Sequence, residues 1–587
     1  MGRLMQAGSA LDNRLRAAIQ AFEAGQLDRA LQMAQQLCQG FPRVAIVHNV
    51  HGVIAAEKRA YEAAIVSYQN AIALEPDNCD FHFNLGNVWR DKGDLKSALA
   101  SYRAALRIRP DDPDVLFNLA TVLRGTGDLD AAEKLFRQLV AASPKNHTAH
   151  NNLGGVLFLQ HKTDEAADCF RRAMQLKPGF VEAHDNLCEV LEKTNQTEEL
   201  RKAVSHARTV CRKDDIRIVI RQAQLLRREK DLEGARKALS GVTKFHPGQA
   251  QLNSAYWYLL GDICDRLEDS QAAYEAMVEA NIWAAKAVGG RGLEPDKYIQ
   301  KLDDLQTVYK SVRRAAPRQN KAVKKDAPQL VFLVGFPRSG TTLLDTVLLA
   351  HSRISVVEEQ PMVQEMVRLV AGWQTGDLPN HEDLSEEQVR QLRDAYMTKL
   401  DQHLPAPAAA GDTVIDKLPL NIAEAGLISK VFPDAKFLLV LRDPCDCVLS
   451  CFMQDFRLNN AMANFLDLKS AAQCYDKVMS LWVTYTGALQ LPVHVVKYEQ
   501  IVRDLEETVS EVLNFLGLDW EDSMADYKAT AMDRKRIGTP SYHQVVQPIY
   551  SRAKGRWRRY RKQMVPVLPT LLKWAEIHGY SRDAGNG

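Results

Sequence analysis

Prolines stand at positions 42, 76, 110, 144 and 178, each 34 residues after the last, and Pro247 follows two further periods plus one residue later. A chain with such a period must build one supersecondary unit repeatedly, each unit burying its apolar face against the next. With Pro as position 32 of the unit, the block from Cys79 places Leu85, Gly86, Trp89, Ala98, Tyr102 and Ala105 at positions 7, 8, 11, 20, 24 and 27. The block from His147 repeats this with Leu153, Gly154, Leu157, Ala166, Phe170 and Ala173. Small residues at 8 and 20 let two helices approach closely, and large apolar ones fill the space between them, so each unit reads as helix–turn–helix. A degenerate unit at 216–249 keeps Ala223, Ala235 and Pro247, and another from Ser254 keeps Trp257, Leu260, Gly261 and Ala273. The array therefore holds about eight units over residues 11–287.

This pattern resembles the tetratricopeptide repeat, which implies an N-terminal all-α solenoid. Two residue ladders run through it. Position 4 is His in four units (His48, His82, His150, His184). Equivalent positions in such a solenoid lie on the order of 10 Å apart, far beyond the ~2 Å of a metal bond, so these read as packing residues. Position 6 is Asn in four consecutive units (Asn84, Asn118, Asn152, Asn186). An amide offers both a donor and an acceptor and so matches an extended backbone without demanding any side chain. The ladder resembles the asparagine ladder in the repeats of O-linked N-acetylglucosamine transferase, which implies a groove for a protein or peptide acceptor. The alternative is that the amides bond helix to helix within the array.

Lys+Arg 75 against Asp+Glu 73 leaves +2, with 25% charged and 46% hydrophobic residues. No global field selects nucleic acid, and the composition is that of a folded chain. The first twenty residues lack an apolar signal-like stretch and no run of about eighteen apolar residues occurs, so the expectation is a cytoplasmic protein without a membrane partner. Ten cysteines are scattered without disulfide-like spacing, as in a reducing compartment. The tightest set, Cys445, Cys447 and Cys451, is a nominal metal candidate in a stretch with a better explanation. Residues 288–327 interrupt the array with GGRGLEP, a short helical stretch around 298–312, and RRAAPRQNKAVKKDAP. They read as a solvated linker, with a nucleotide-facing role as the alternative.

From Gln329 short apolar runs alternate with helical segments. QLVFLV, DTVID, AKFLLVL and VHVVKY read as buried strands of a parallel sheet, making residues 328–582 a P-loop-like α/β domain. The first strand runs into Gly335-Phe-Pro-Arg338-Ser339-Gly340-Thr341-Thr342, followed by a helix. A strand, a tight loop and a helix N-terminus together aim backbone N–H groups at an anion. The spacing is that of a P-loop, with Thr341 where the Walker Lys would stand. A nucleoside triphosphate needs that Lys and a metal, whereas a phosphosulfate can be held by N–H groups, hydroxyls and one cation, here Arg338.

This loop resembles the 5′-phosphosulfate loop of sulfotransferases that use 3′-phosphoadenosine 5′-phosphosulfate (PAPS). Phe437–Ser450, a strand ending in Arg442 and then a helix carrying Ser450, looks like their 3′-phosphate motif and accounts for the cysteine set. The resemblance implies that Arg442 and Ser450 clamp the 3′-phosphate. Tyr498 in VKYE and Trp557 in GRW resemble the family's nucleotide-side Tyr and cofactor-covering Gly-x-Trp. Ala350-His351 followed by Glu358-Glu359 resembles a stretch of the tyrosylprotein sulfotransferases whose second Glu is the base, which maps to Glu359. Glu358 and His351 remain competitors. Lys417 matches the family's catalytic Lys, charge-balancing with Arg338. No metal is expected. Two positions depart from the pattern: Arg338 replaces the cytosolic enzymes' Lys, and Gln547 in VVQP stands where the tyrosylprotein enzymes have a Lys. The basic run at 552–562 reads as part of the cofactor-covering segment, with RNA or a sulfated glycan as the alternative.

The predicted activity is sulfuryl transfer to an acceptor hydroxyl: a protein tyrosine, a glycan or a small alcohol. A P-loop kinase and a repeat scaffold with a nucleotide-binding relic are the rivals.

Overall fold

The computed structural model describes residues 2–289, 292–312, 328–373, 381–404, 408–527 and 554–580. The chain divides into two compact units, Met1–Leu225 and Leu226–Gly587.

The first unit is an array of paired helices, mostly of 13 or 14 residues, such as Cys79–Lys92 with Leu95–Ile108 and His147–Leu159 with Thr163–Leu176. Local chemistry sets their ends. Asp94, Asp112 and Asp128 accept backbone N–H groups at helix starts, and Gly93 and Gly127 close helices in the left-handed region, at φ 91° and 87°. Position 8 works as its size predicts. A Cβ on Gly52, Gly86 or Gly154 would stand 2.7–2.8 Å from the ring of Tyr68, Tyr102 or Phe170, the aromatic at position 24 of the same unit. The histidine ladder does more than pack. His48, His82, His150 and His184 each hydrogen-bond through Nε2 to the carbonyl of the Pro six residues earlier, at 2.7–3.0 Å, fastening each inter-repeat turn to the next helix.

The second unit holds the last helices of repeat character, Leu232–Leu239, Ala250–Arg266 and Ser270–Val288, together with the α/β domain. Sequence repeats end near 287, but packing joins these helices to the C-terminal part. Tyr258, Cys264, Ala273, Met277 and Ala280 share one apolar core with Phe332, Val334, Phe437 and Trp557. A helix at Pro295–Ser311 adds Leu302, Leu305 and Tyr309 to that core. Residues 290–291 and 313–327 of the linker lie outside the described residues.

Five parallel strands, β1 (Gln329–Gly335), β2 (Ile354–Glu358), β3 (Thr413–Lys417), β4 (Lys436–Leu441) and β5 (Val493–Lys497), form a sheet in the order β2-β3-β1-β4-β5. Both faces are covered, which explains the unbroken apolar runs. On β1, Phe332 and Val334 join one core while Val331 and Leu333 join another with Leu344, Leu438 and Val440. Between β3 and β4 the order reverses around β1, so the carboxyl end of β1 is the crevice where an open α/β sheet takes its ligand.

Candidate active site

The loop after β1 turns sharply. Arg338 sits at φ +71° and Gly340 at φ +107°, the former an uncommon conformation for a side-chain-bearing residue that costs free energy unless its surroundings impose it. They do. The Arg338 carbonyl accepts from Arg442 at 3.1 Å, and Arg338 Nε donates to Ser450 Oγ at 3.1 Å. A Cβ on Gly340 would lie 2.6 Å from the Tyr498 ring, so only Gly lets that ring close against the loop. The Arg442 guanidinium lies 5.1 Å over the same ring. Thus Arg338, Gly340, Arg442, Ser450 and Tyr498, drawn from three separate stretches of sequence, meet at one place. Thr341 and Thr342 are buried in the first turn of the helix Thr341–Leu348, where backbone N–H groups have no intrahelical partner.

The strand-to-helix turn after β4 follows from its residue types. Asp443 caps the helix Pro444–Phe452, its carboxylate accepting from Cys445 and Asp446 N–H, and Pro444 opens the helix at the position where Pro costs least. Burial pushes the Asp443 carboxyl up to about 6. Burial alone would weaken the charge on Arg442, but the carboxylates of Asp446 and Glu499 are among the groups that hold it more firmly protonated than usual. Cys447 and Cys451 are protonated thiols donating to the Pro337 carbonyl at 3.5 and 3.2 Å, and burial pushes the Cys447 thiol up to about 12. They brace the loop from beneath. No cluster suited to a metal ion occurs among the described residues.

Asp446 is the residue that pattern reading missed here. Its two oxygens accept from the backbone N–H groups of Gly555 (2.6 Å) and Trp557 (2.9 Å), so the helix Pro444–Phe452 itself holds the Gly-x-Trp segment. Gly555 adopts φ +69°, and Trp557 is buried. Two polar atoms of this constellation, Ser339 Oγ and Trp557 Nε1, are buried without a hydrogen-bond partner among the described residues. Buried polar groups are rarely left so, and both belong to residues that the resemblance assigns to the nucleotide.

Beside the loop, three carboxylates surround one lysine. Lys417 is wholly buried, and its Nζ lies 3.1 Å from Glu358 Oε1, 3.1 Å from Glu359 Oε1 and 3.5 Å from Asp345 Oδ2. Strand register builds this directly: Glu358 pairs with Lys417 across β2 and β3, and Glu359 N–H donates to the Lys417 carbonyl at 2.8 Å. Burial would lower the Lys417 value, but the three carboxylates outweigh it and raise it above the ordinary lysine value. Glu359 leaves the strand at φ +50° and keeps 35% of its side chain exposed, against 13% for Glu358. Of the two carboxylates, Glu359 is therefore the one that faces solvent. His351 is occupied elsewhere: it is buried, Nε2 bonds the Asp519 carbonyl at 3.1 Å and Nδ1 accepts from Arg353 N–H at 3.0 Å. Asp345, in the interior of the loop helix and fully buried, was not anticipated, although an Asp inside the apolar stretch TTLLDTVLL is a signal. On the far side of β3, Asp416 accepts from Tyr396 Oη at 2.9 Å, and burial raises its carboxyl to about 7.

The asparagine ladder is half-buried and engaged within the array. Asn84 donates to Asn49 Oδ1 at 3.0 Å and Asn186 to Asn151 Oδ1 at 2.9 Å, while Asn118 and Asn152 accept from Arg90 (2.5 Å) and Arg124 (3.1 Å). These contacts are the helix-to-helix bonds of the alternative reading. Gln547 and residues 552–553 of the basic run lie outside the described residues. Within the rest of that run, Arg556 and Arg559 are committed to Asp265.

Residues 328–522 match the family model described as "Sulfotransferase family", and residues 56–89, 89–153 and 147–180 match tetratricopeptide-repeat models. The chain thus carries a sulfotransferase-family domain behind tetratricopeptide repeats. Among curated proteins it is 27% identical over 326 residues to an uncharacterized protein of Aquifex aeolicus, the match covering 55% of this chain and 42% of that one. It is 27% identical over 269 residues to protein-tyrosine sulfotransferase 1 of Danio rerio (42% of this chain, 72% of that one). With the protein-tyrosine sulfotransferase of Drosophila melanogaster the figures are 27% over 301 residues, 47% and 53%. The chain thus spans about two fifths of the Aquifex protein's length and about half of the Drosophila one's. No helix among the described residues is long and apolar enough to cross a membrane.

Proposed function

We propose that this chain is a PAPS-dependent sulfotransferase acting on an acceptor hydroxyl. The observation that carries the reading is the convergence, at the carboxyl ends of neighbouring strands, of Arg338, Arg442, Ser450 and Tyr498 with Ser339 Oγ and Trp557 Nε1, which have no hydrogen-bond partner among the described residues, next to the Glu359–Lys417 pair. Bound there, PAPS would supply the sulfuryl group and a phosphate leaving group. The loop N–H groups, Ser339, Thr341 and Thr342 would hold its 5′ end with Arg338, and Arg442 and Ser450 its 3′-phosphate, with Tyr498 and Trp557 against the nucleotide. Glu359 takes the acceptor's proton at its exposed carboxylate. The Lys417 ammonium orients that carboxylate and offsets negative charge beside it.

Ligand linkage tests the donor. Adenosine 3′,5′-bisphosphate at about a hundredfold excess over its Kd should stabilise the protein by about 2.7 kcal/mol, read as a rise in melting temperature, and Arg442→Ala should abolish most of the rise. Stronger stabilisation by ATP with Mg²⁺ would instead favour the kinase, against which Thr341 in the Walker Lys position already speaks. No stabilisation by either nucleotide would favour the scaffold.

The finer part of the proposal is a polypeptide-borne acceptor, a protein tyrosine being the choice that the relatives' names support, gathered by the repeats. Replacing Asn84, Asn118, Asn152 and Asn186 together by Ala should raise KM for a protein acceptor severalfold and leave transfer to a small phenol unchanged, since each lost bond is worth about 0.5–1.5 kcal/mol. Circular dichroism and melting come first, because the same amides bond within the array. A folded variant with unaltered kinetics on its protein acceptor would rule out the groove.

A further inference from the structure

Asp265 lies near the end of the helix Ala250–Arg266, a helix of repeat character, yet its buried carboxylate faces the α/β domain's Gly555–Tyr560 segment. Arg556 reaches it through Nε (3.1 Å) and Nη2 (3.0 Å), Arg559 through Nη2 (3.0 Å) and Tyr560 through its hydroxyl (2.7 Å), and the Asp265 carbonyl accepts from Arg559 Nη1 at 3.0 Å. One carboxylate thus gathers three of the five side chains of a short 3₁₀ helix, Arg556–Tyr560. Such a short helix has little stability of its own and takes its position from what holds it.

That helix carries Trp557. Its backbone entry is fixed by Asp446 of the helix Pro444–Phe452 and its side chains by Asp265, so two carboxylates from well-separated stretches of the second unit's sequence clamp it. The neighbouring helix Ser270–Val288 touches the helix Pro444–Phe452 as well. Asn281 Nδ2 donates to the carbonyl of Phe452, the last residue of that helix, at 3.1 Å, and Tyr274 stacks on the Phe452 ring at 5.3 Å. The last repeat-like helix pair therefore grips both the segment bearing Trp557 and the end of the helix bearing Ser450.

We propose that Asp265 is a positioning residue for the donor nucleotide, and that this last helix pair is a working part of the donor site. The inference rests on the PAPS reading above. Asp265 touches no substrate; it acts through Arg556 and Arg559 by setting Trp557 in place before the nucleotide arrives, so that binding does not have to order the segment.

The test uses the full chain, with adenosine 3′,5′-bisphosphate as the calorimetric probe. Asp265→Asn keeps the volume and removes the charge; it should weaken the bisphosphate about tenfold, the lower end of what supporting partners of a binding group are worth elsewhere. KM for PAPS should rise in step while kcat at saturation stays within about twofold, a split that a loss of folded protein alone would not produce. Asp265→Glu should recover part of the affinity. Because Asp265→Asn leaves two guanidinium groups facing a neutral amide, Arg559→Gln serves as a second variant: its side chain is 29% exposed, and its loss should weaken the bisphosphate in the same direction by a smaller factor. Folded variants that bind like the wild type overturn the proposal, and if Asp265→Asn does not fold, unchanged affinity in Arg559→Gln does so alone. A wild-type chain that ignores the bisphosphate while binding ATP with Mg²⁺ is a different result, overturning the donor reading itself.

Discussion

Glu359→Gln should lower turnover by about a hundredfold or more while leaving bisphosphate affinity nearly intact, a loss of the size that general-base catalysis contributes. The geometry makes this a clean substitution. A Gln carbonyl can still accept from Lys417 Nζ, the bond that Glu359 makes at 3.1 Å, so the side chain keeps its place and loses only the capacity to take a proton. Glu358→Gln should cost much less. Glu358 also accepts from Lys417 at 3.1 Å, but it lies in register with the lysine inside the sheet and is 13% exposed, so its part is to share the lysine's charge. Steady-state rates with saturating PAPS, beside calorimetric titration of the bisphosphate, separate the two. A crippled Glu358→Gln with an active Glu359→Gln would move the base one residue back along the chain.

How much of this was legible in the sequence depends on how local each device is. The repeat period, the strand–loop–helix around Gly340 and the strand-to-helix turn at Arg442 are each set by residues within one short stretch, and each appears where the pattern put it. The pairing of Lys417 with Glu358 and Glu359 is not local, yet it follows once strands DTVIDK and ISVVE are neighbours in register. Three carboxylates escaped. Asp345, Asp446 and Asp265 each sit in a helix, and the groups that give them their part in the site lie 72, 109 to 111 and about 290 residues away, a separation that no periodicity encodes. A signal does mark two of them: Asp345 and Asp446 are acidic residues amid apolar neighbours on a buried helix, where a charge needs a partner from elsewhere in the fold, whereas Asp265, beside Arg266 and close to Asp262, carries no such mark. The packing of the last helix pair is non-local in the same way: repeat residues such as Gly261 and Ala273 specify contact within the pair, while other residues of the same pair, Tyr258, Tyr274 and Asn281, are addressed to the α/β domain.

Lys417→Met should be the most damaging single change, because the lysine serves both chemistry and fold. Activity should fall by a hundredfold or more, in line with the loss of one preorganised charge at a reacting centre. Stability should fall too. Lys417 has no exposed surface, and Asp345, equally buried, would lose the ammonium that faces it at 3.5 Å, along with Glu358 and Glu359 at 3.1 Å. Removing one partner of a buried ionic group costs about 3–5 kcal/mol because the opposite charge is left in a poor solvent. The dependence on pH distinguishes this from a simple packing defect. In the wild type the raised lysine value means that its contribution is fully present below the unfolded lysine value and is lost only as pH rises through the folded one, so it is constant across neutral and acid pH. In the variant the strain lies on ionised carboxylates, and proton uptake relieves it. The gap in melting temperature between wild type and Lys417→Met should therefore narrow as pH is lowered from about 7 to about 5. Asp416 and Asp443, held up at about 7 and about 6, favour the folded state on acidification in both proteins, and comparing the two at each pH removes their share. A gap that stays constant over this range would mean that Lys417 holds the site by packing alone and that the carboxylates around it never depended on its charge.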